Sequence, residues 1–154
     1  MTEQAAVEAF LSQRRLAVVG VSRSGKKFGN LVYRALKERG FEVVAVHPQA
    51  EVLEGDRCVP SVAALPHRVD GVVLVVPPAE SLRVVGEAAA AGIRRVWLQP
   101  GSFSPEVLRL AQAQGMSVVA GECIMMHARP VRSIHWVHRL VRKLLGKLPS
   151  SRQP

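Results

Sequence analysis

The sequence predicts a three-layer α/β fold, in which helices cover both faces of a doubly wound parallel sheet of about five strands. Short apolar runs alternate along the chain with segments of helical periodicity, which is the pattern of parallel strands joined by crossover helices. The runs over residues 16–19 and 71–76 are continuously apolar, as in strands buried on both faces. Each run then gives way to glycine, proline or polar residues, as expected where a strand ends in a loop.

The elements follow one another in a regular order. We predict strands over residues 16–19, 41–46, 71–76, 95–98 and 116–120, in the sheet order 3-2-1-4-5. Helices are predicted over residues 3–14, 30–39 and 79–91, and from Ser104-Pro105-Glu106, where a capping residue precedes proline and an acid, to Gly115. The long connection over residues 49–66 is expected to hold a turn or hairpin at EVLEG and a short helix opened by Ser61.

Length and charge predict one domain with a basic end. The 154 residues, 48% of them hydrophobic, predict a single domain over residues 1–148 with a frayed end at 149–154. Up to Glu122 there are 14 Lys and Arg against 12 Asp and Glu, whereas the rest has seven basic residues and no acid. Residues 131–148 predict a basic amphipathic helix that packs on the sheet, with a homodimer contact as an alternative.

The distribution of charge and apolar residues also bears on partners and location. Because the excess charge is confined to one end, nucleic acid is disfavoured as a partner, although a nucleotide-sensing regulator with a basic nucleic-acid-binding tail stays an alternative. No apolar run reaches the roughly 18 residues of a spanning helix. The N-terminus lacks the order of a signal peptide. We therefore expect a cytoplasmic protein without a membrane span.

The stretch LAVVGVSRSGKKFG, residues 16–29, predicts a loop that holds phosphate, because glycine lets backbone N–H groups approach an anion at the start of a helix. Residues 20–26 spell GxxxxGK, but Lys27 stands where a P-loop has the hydroxyl that binds Mg²⁺. A dinucleotide dehydrogenase is disfavoured by Ser22 in place of its second glycine and by His47-Pro48 in place of its ribose-binding acid. The cations of this loop leave NADP or coenzyme A as ligands.

The five predicted strand ends belong to one surface, because parallel strands present their carboxyl ends to one crevice. These ends are Gly20-Val21-Ser22-Arg23, His47-Pro48, Val76-Pro77-Pro78, Gln99-Pro100-Gly101 and Gly121-Glu122-Cys123. All are small, proline-rich or polar, and together they predict one ligand-binding crevice.

The same segments carry a family resemblance. LAVVGVSR, GNLVYRALKERGFEVVAVHP, VDGVVLVVPP, EAAAAGIRRVWLQPGS and GMSVVAGECIMMH resemble, in this order, the single-domain bacterial CoA-binding proteins. The resemblance covers about residues 16–126 and extends to the N-terminal domain of the succinyl-CoA synthetase alpha subunit. It implies a Rossmann-like domain that binds coenzyme A or an acyl-CoA through its ADP moiety. The synthetase domain that carries a phosphorylated histidine has no counterpart in this sequence.

The resemblance also implies site residues. It assigns Val21, Ser22 and Arg23 to phosphate or ribose, an apolar wall at Val76, Pro77 and Pro78 to adenine, and Gln99, Pro100 and Gly101 to the pantetheine path. Gly20, Lys26 and Lys27 complete the first loop. His47, before Pro48, departs from the asparagine or other polar residue that is common in the family.

No catalytic set and no metal site are predicted. Local sequence spells no Ser-His-Asp or Cys-His arrangement. The spacing of Cys123, His127, His135 and His138 matches no standard zinc pattern, and Cys123 is interpreted as a buried apolar residue. An NADP- or CoA-linked enzyme that uses Glu122 or Cys123 stays an alternative to a binding protein.

Overall fold

A parallel sheet with helices on both faces forms the described part of the chain, residues 2–65 and 69–128 of a computed structural model. The helices are α1 (Glu3–Leu11), α2 (Phe28–Glu38), α3 (Pro78–Ala90), α4 (Pro105–Ala113) and α5 (Ile124–His127), with a 3-10 helix at Val62–Ala64. The strands are β1 (Arg15–Val19), β2 (Glu42–Val46), β3 (Val52–Leu53), β4 (Asp56–Arg57), β5 (Gly71–Leu74), β6 (Arg95–Leu98) and β7 (Ser117–Ala120). Five parallel strands pair in the order β2-β1-β5-β6-β7, and β3 pairs antiparallel with β4. The predicted fold class is confirmed.

The predicted strand order is wrong. We expected 3-2-1-4-5, whereas the five parallel strands run 2-1-3-4-5 when numbered along the chain. The third of them, β5, lies between β1 and β6 and pairs with both, Gly71 opposite Leu16 and Val72 opposite Val96. All four residues of β5 are buried, and a strand with this composition suits the middle of a sheet.

The second strand, β2, is accordingly the edge of the sheet. Whereas every residue of the central strand β1 after Arg15 is buried, Val43 and Val44 of β2 are only half-buried. The outer side of its last residues is covered by Val59, whose N–H donates to the Ala45 carbonyl at 3.1 Å and whose carbonyl accepts from the His47 N–H at 2.9 Å. The connection after the hairpin therefore takes the place that the prediction gave to the third strand.

Alternate residues of each strand enter two separate cores. Leu16 and Val18 of β1 pack with residues of α1, α2 and α5 on one face, and Ala17 and Val19 pack with residues of α3 and α4 on the other. Trp97, fully buried on the first face, meets Phe10 edge to face with ring centroids 5.3 Å apart. The three layers follow from this period of two.

Local sequence chemistry explains several element boundaries. Ser104 caps α4 by accepting the N–H of Val107 at 3.3 Å, as predicted. The predicted hairpin at EVLEG is confirmed as β3–β4, turned by Glu54 and Gly55, which both have positive φ (52° and 81°). Ser61 precedes a short 3-10 helix where we expected a short helix.

Among the described residues, no helix has both the length and the apolar character needed to cross a bilayer. The predicted basic helix over residues 131–148, the frayed end and the homodimer contact lie outside the described residues.

Candidate functional site

A cleft of about 350 Å³ lies at the carboxyl ends of β1, β2 and β5. After β1 the chain enters α2 on one face of the sheet, and after β5 it enters α3 on the other face. Such a divergence between neighbouring strands is the switch point at which open α/β sheets bind ligands. The volume falls within the range of about 300–1,000 Å³ that small-molecule sites occupy.

The cleft brings together the predicted residues of the first three strand ends. These lining residues are Gly20, Val21, Ser22, Lys27, His47, Pro48, Val76 and Pro77. The remaining predicted residues, Arg23, Lys26, Pro78, Gln99, Pro100 and Gly101, do not line it. The fourth strand end is thus separate from the cleft, whereas the first three form a single surface.

Two glycines set the shape of the loop after β1. Gly20 has a φ of +116°, and a Cβ atom there would stand 2.2 Å from the carbonyl oxygen of Val75. A Cβ atom on Gly29, in the first turn of α2, would stand 2.1 Å from the carbonyl oxygen of Gly20. Only glycine permits this approach of β1, the end of β5 and the start of α2. The helix therefore begins directly beside the cleft.

Asn30, fully buried in the first turn of α2, fixes Ser22 at the cleft. Its Oδ1 accepts from the Ser22 N–H at 3.0 Å and from the Ser22 hydroxyl at 2.7 Å, and its Nδ2 donates to the Ser22 carbonyl at 2.9 Å. Sequence reasoning missed this residue. A buried asparagine on the apolar stripe of a predicted helix was the available signal, because a buried amide needs polar partners.

Two helix N-termini meet at the cleft without a side-chain cap. Neither Lys27, the N-cap of α2, nor Pro77, the N-cap of α3, makes a side-chain capping hydrogen bond. The partial positive charge of a helix start favours an anion nearby. Lys27 lines the cleft, and the exposed Arg23 donates from Nη2 to Oε1 of the lining residue Gln49 at 3.0 Å. This side of the cleft is suited to phosphate.

The ring of His47 accepts hydrogen bonds from the backbone that follows β2. Its Nδ1 accepts from the N–H groups of Gln49, at 3.1 Å, and Ala50, at 3.0 Å. Nδ1 therefore serves as a hydrogen-bond acceptor for two backbone donors. The Oδ1 of an asparagine could accept the same two bonds, which explains how histidine replaces the residue that the resemblance implied.

The opposite wall of the cleft is a face of α3 that sequence reasoning also missed. Glu80, Arg83 and Glu87 line it, and Arg83 pairs with Glu80 at 3.1 Å and also with Glu87. Their spacing of three and four residues placed them on one helix face, directly after the predicted proline wall. The cleft is therefore basic beside α2 and mixed in charge beside α3.

Side chains at the fourth strand end form hydrogen bonds that hold the neighbouring strand ends in place. Gln99 is fully buried; its Oε1 accepts from the Ile124 N–H at 2.7 Å, and its Nε2 lies 3.5 Å from the Cys123 sulfur. Ser102 is also buried, and its hydroxyl accepts from the N–H of Val76, a lining residue, at 3.1 Å. These side chains hold the ends of β5 and β7 in place.

The end of β7 carries a polar pair of its own. Glu122 Oε2 lies 3.2 Å from His127 Nε2, and the Glu122 carbonyl accepts from the buried Trp97 indole at 2.7 Å. Cys123 is half-buried at the start of α5.

Within residues 2–65 and 69–128, no group of three His, Cys, Asp or Glu side chains is arranged to bind a metal. His135 and His138 lie outside this part of the chain.

The hairpin docks on α2 beside the cleft through a buried hydroxyl and an ion pair. Asp56 Oδ2 accepts from the Tyr33 hydroxyl at 2.7 Å and pairs with Lys37. The hydrogen bond from Lys37, followed by that from Tyr33, lowers the pKa of Asp56. Burial, and then the hydrogen bond to Asp56, raises the pKa of Tyr33. Burial also raises the pKa of the Cys58 thiol, which donates to the Ala50 carbonyl at 3.0 Å.

Together the doubly wound sheet and the cleft at its switch point define a Rossmann-like α/β binding domain. The family model described as a CoA binding domain matches residues 14–129. This chain belongs to that family.

Curated relatives include much longer enzymes. The alpha subunit of an ADP-forming acetate–CoA ligase II from Pyrococcus furiosus is 27% identical over 129 residues, which are 77% of this chain and 28% of the ligase subunit. The chain thus spans less than a third of that subunit.

Solved structures share the fold. A conserved hypothetical protein from Pyrococcus furiosus is 42% identical, with a TM-score of 0.70 over 73% of this chain and 97% of that chain. A dinucleotide-forming acetyl-coenzyme A synthetase 1 from Ca. Korarchaeum cryptofilum, in complex with phosphate and ADP, is 29% identical with a TM-score of 0.67. That match covers 75% of this chain and 27% of the synthetase.

Proposed function

We propose that this protein binds coenzyme A or an acyl-CoA through its ADP moiety, in the cleft between the ends of β1 and β5. The observation that carries the proposal is the meeting of a glycine-shaped loop and two uncapped helix starts at the switch point of a chain in the CoA-binding family. Fold alone would not identify the ligand, because many functions share it. The family match and the site geometry support the same ligand class.

In this proposal the phosphate groups lie beside the start of α2. The helix start and the exposed cations Arg23, Lys26 and Lys27 supply positive charge there. Coenzyme A carries a pyrophosphate and a 3′-phosphate on its ADP moiety, so it offers more charge to this surface than ADP does. We assign Arg23 to the 3′-phosphate, because it is exposed at the rim and reaches across to Gln49.

The adenine and ribose are assigned to the side of the cleft beside α3 and β2. Val76 and Pro77 offer apolar surface, with Pro48 facing the same cleft. Glu80 and Glu87 supply carboxylates that can accept hydrogen bonds from ribose hydroxyls or the adenine amino group. The roles of Pro78, Gln99, Pro100 and Gly101 stay predictions.

The proposal assigns no reaction to this chain. Glu122 and Cys123, the residues of the enzyme alternative, lie outside the cleft lining. The regulator alternative depends on residues 131–148, which lie outside the described part of the chain. The activities in the relatives' names belong to proteins several times longer, and the cytoplasmic location stays a prediction.

Isothermal titration calorimetry with CoA, ADP and NADP tests the proposal. We expect saturable CoA binding that is tighter than that of ADP. Replacement of Lys27 by alanine should weaken CoA binding about ten-fold, as expected for the loss of one charge-assisted contact. The matched control is Arg109→Ala on the exposed face of α4, which removes the same charge away from the cleft. Absence of CoA binding by the wild-type protein would overturn the proposal.

A further inference from the structure

We propose that Glu54, in the turn of the β3–β4 hairpin, is a positioning residue for the loop between β1 and α2 (residues 20–27). The inference rests on the proposed function, because this loop is the one to which we assign the phosphate groups. Glu54 does not line the cleft. Its two carboxylate oxygens reach opposite ends of the loop, one through Asn30 and the other through Arg34.

The first oxygen orients the Asn30 amide together with the Ser22 backbone, because Asn30 Nδ2 donates to both Glu54 and the Ser22 carbonyl. Glu54 Oε2 accepts from Asn30 Nδ2 at 2.7 Å, and an ionised carboxylate can only accept hydrogen bonds. The amide nitrogen of Asn30 must therefore face Glu54, so its oxygen faces the N–H and hydroxyl of Ser22. The reversed amide would place an oxygen against the carboxylate and an NH₂ group against the Ser22 N–H.

This orientation determines where the hydroxyl hydrogens of the loop point. Ser22 donates its one hydroxyl hydrogen to Asn30 Oδ1, so the Ser24 hydroxyl, 2.9 Å away, must donate to Ser22 Oγ. Ser24 Oγ in turn accepts from the Lys26 N–H at 3.2 Å. Both hydroxyl hydrogens are thus already donated, that of Ser22 to Asn30 and that of Ser24 to Ser22. An anion in the cleft would therefore be bound by backbone N–H groups and the cationic side chains of the loop, and not by the hydroxyls of Ser22 and Ser24.

The second oxygen holds the far end of the same loop. Glu54 Oε1 pairs with Arg34 Nε at 2.9 Å, and the Arg34 guanidinium also donates to the Gly25 carbonyl. The Glu54 side chain is only 14% exposed and Asn30 is fully buried, so their hydrogen bond is shielded from solvent, whereas the Arg34 side chain is half-exposed. One carboxylate thus restrains Ser22 at the start of the loop and Gly25 near its end.

The backbone conformation of Glu54 does not favour glutamate, which indicates that the contacts of its side chain are the reason for glutamate at this position. Its φ of +52° lies in the left-handed region, where glycine, asparagine and aspartate are favoured. Asparagine and aspartate would suit the turn better, but their side chains are one methylene shorter. Glutamate accepts the less favoured conformation and gains the reach to Asn30 and Arg34.

Amide hydrogen exchange by NMR on the full chain tests this role without ligand. In Glu54→Gln we expect the Ser22 amide to exchange about ten-fold faster, because the loop opens locally while amides of β1 and β5 keep their wild-type rates. CoA should bind about ten-fold more weakly, the loss that corresponds to one charge-assisted hydrogen bond. The matched control Glu51→Gln, on the exposed stretch before the same hairpin, should leave both unchanged.

A second variant separates an effect on the loop from an effect on the stability of the whole fold. Glu54→Asp keeps the charge and suits the left-handed turn, but its carboxylate is too short to reach both partners. We expect the same rise in Ser22 exchange with an unfolding midpoint at or above that of the wild type. Wild-type exchange at Ser22 in both variants would overturn the inference. If Ser22 exchanges faster in both variants but the wild-type protein binds no CoA, the positioning role of Glu54 is supported and the proposed function is overturned.

Discussion

Gly29 and Gly20 are in direct backbone contact, since a Cβ atom on Gly29 would stand 2.1 Å from the Gly20 carbonyl oxygen. The contact joins the end of β1 to the first turn of α2. It fixes the position of the helix start relative to the cleft, which is the geometry on which phosphate binding depends. The cleft is therefore sensitive to a single added methyl group.

Replacement of Gly29 by alanine should destabilise the fold by about 1–3 kcal/mol, the usual cost of overpacking. Urea denaturation measures the change. Gly86→Ala is the matched control, because Gly86 lies in the interior of α3 and an added Cβ would meet nothing within 4 Å. The control should be stabilised by about 0.4–1 kcal/mol through higher helix propensity and lower unfolded-state entropy. Equal effects of the two substitutions would contradict the close approach.

His47 should be replaceable by asparagine but not by alanine. Asparagine keeps an acceptor for the N–H groups of Gln49 and Ala50, whereas alanine removes it. We expect His47→Ala to lose about 1–2 kcal/mol of stability and His47→Asn to lose less than half of that. Thermal unfolding of the two variants is the measurement, and equal losses would assign His47 a different role.

The stability contributed by Asp56 should depend on pH in the acid range. Hydrogen bonds from Lys37 and Tyr33 lower the pKa of Asp56 from its ordinary value of 3.8. A lowered folded-state pKa adds stability above the unfolded value, and this stability is lost as the pH falls through the folded value. The difference in unfolding free energy between wild type and Asp56→Asn should be largest above about pH 5 and shrink below 3.8.

Glu106→Gln, on the exposed first turn of α4, is the control for that pH series. Urea denaturation at intervals from pH 2 to 6 gives the comparison, with both variants measured at one ionic strength. A difference for Asp56→Asn that stays constant across this range would show that the pKa of Asp56 is not lowered in the folded protein.

Arg23 should distinguish CoA from dephospho-CoA, if it contacts the 3′-phosphate as assigned. Replacement by alanine should weaken CoA about ten-fold and leave dephospho-CoA nearly unchanged, because only CoA carries that phosphate. Competition calorimetry with the two ligands measures the ratio. Equal losses of affinity for both ligands would indicate that Arg23 contacts the pyrophosphate. No loss for either ligand would show that Arg23 does not contact CoA.

The elements of this fold could be predicted from sequence, because strand and helix periodicity are local signals. The order of the strands could not. Two of them, β1 and β5, are equally apolar, and their pairing depends on which side of β1 the chain returns to. The partial burial of Val43 and Val44 marks β2 as an edge strand, and burial of this kind is visible only in the folded protein.

The candidate site was predictable where it is formed by strand ends, and less so elsewhere. The first three strand ends meet at one cleft because parallel strands end at the same edge of a sheet. Gln99 follows a strand in the same way, yet it is buried and bonded to Ile124, which depends on how α5 packs. The contact between Asn30 and Glu54 joins residues far apart in sequence, and no local pattern could have shown it.

A crystal structure of the protein with CoA tests the central claim most directly. We predict density for the ADP moiety over Gly20–Ser22 and the start of α2, with the adenine against Val76 and Pro77. A complex with the nucleotide at the ends of β6 and β7, beside Gln99 and Cys123, would contradict the assigned cleft. Failure of saturating CoA to bind at all would contradict the proposed function itself.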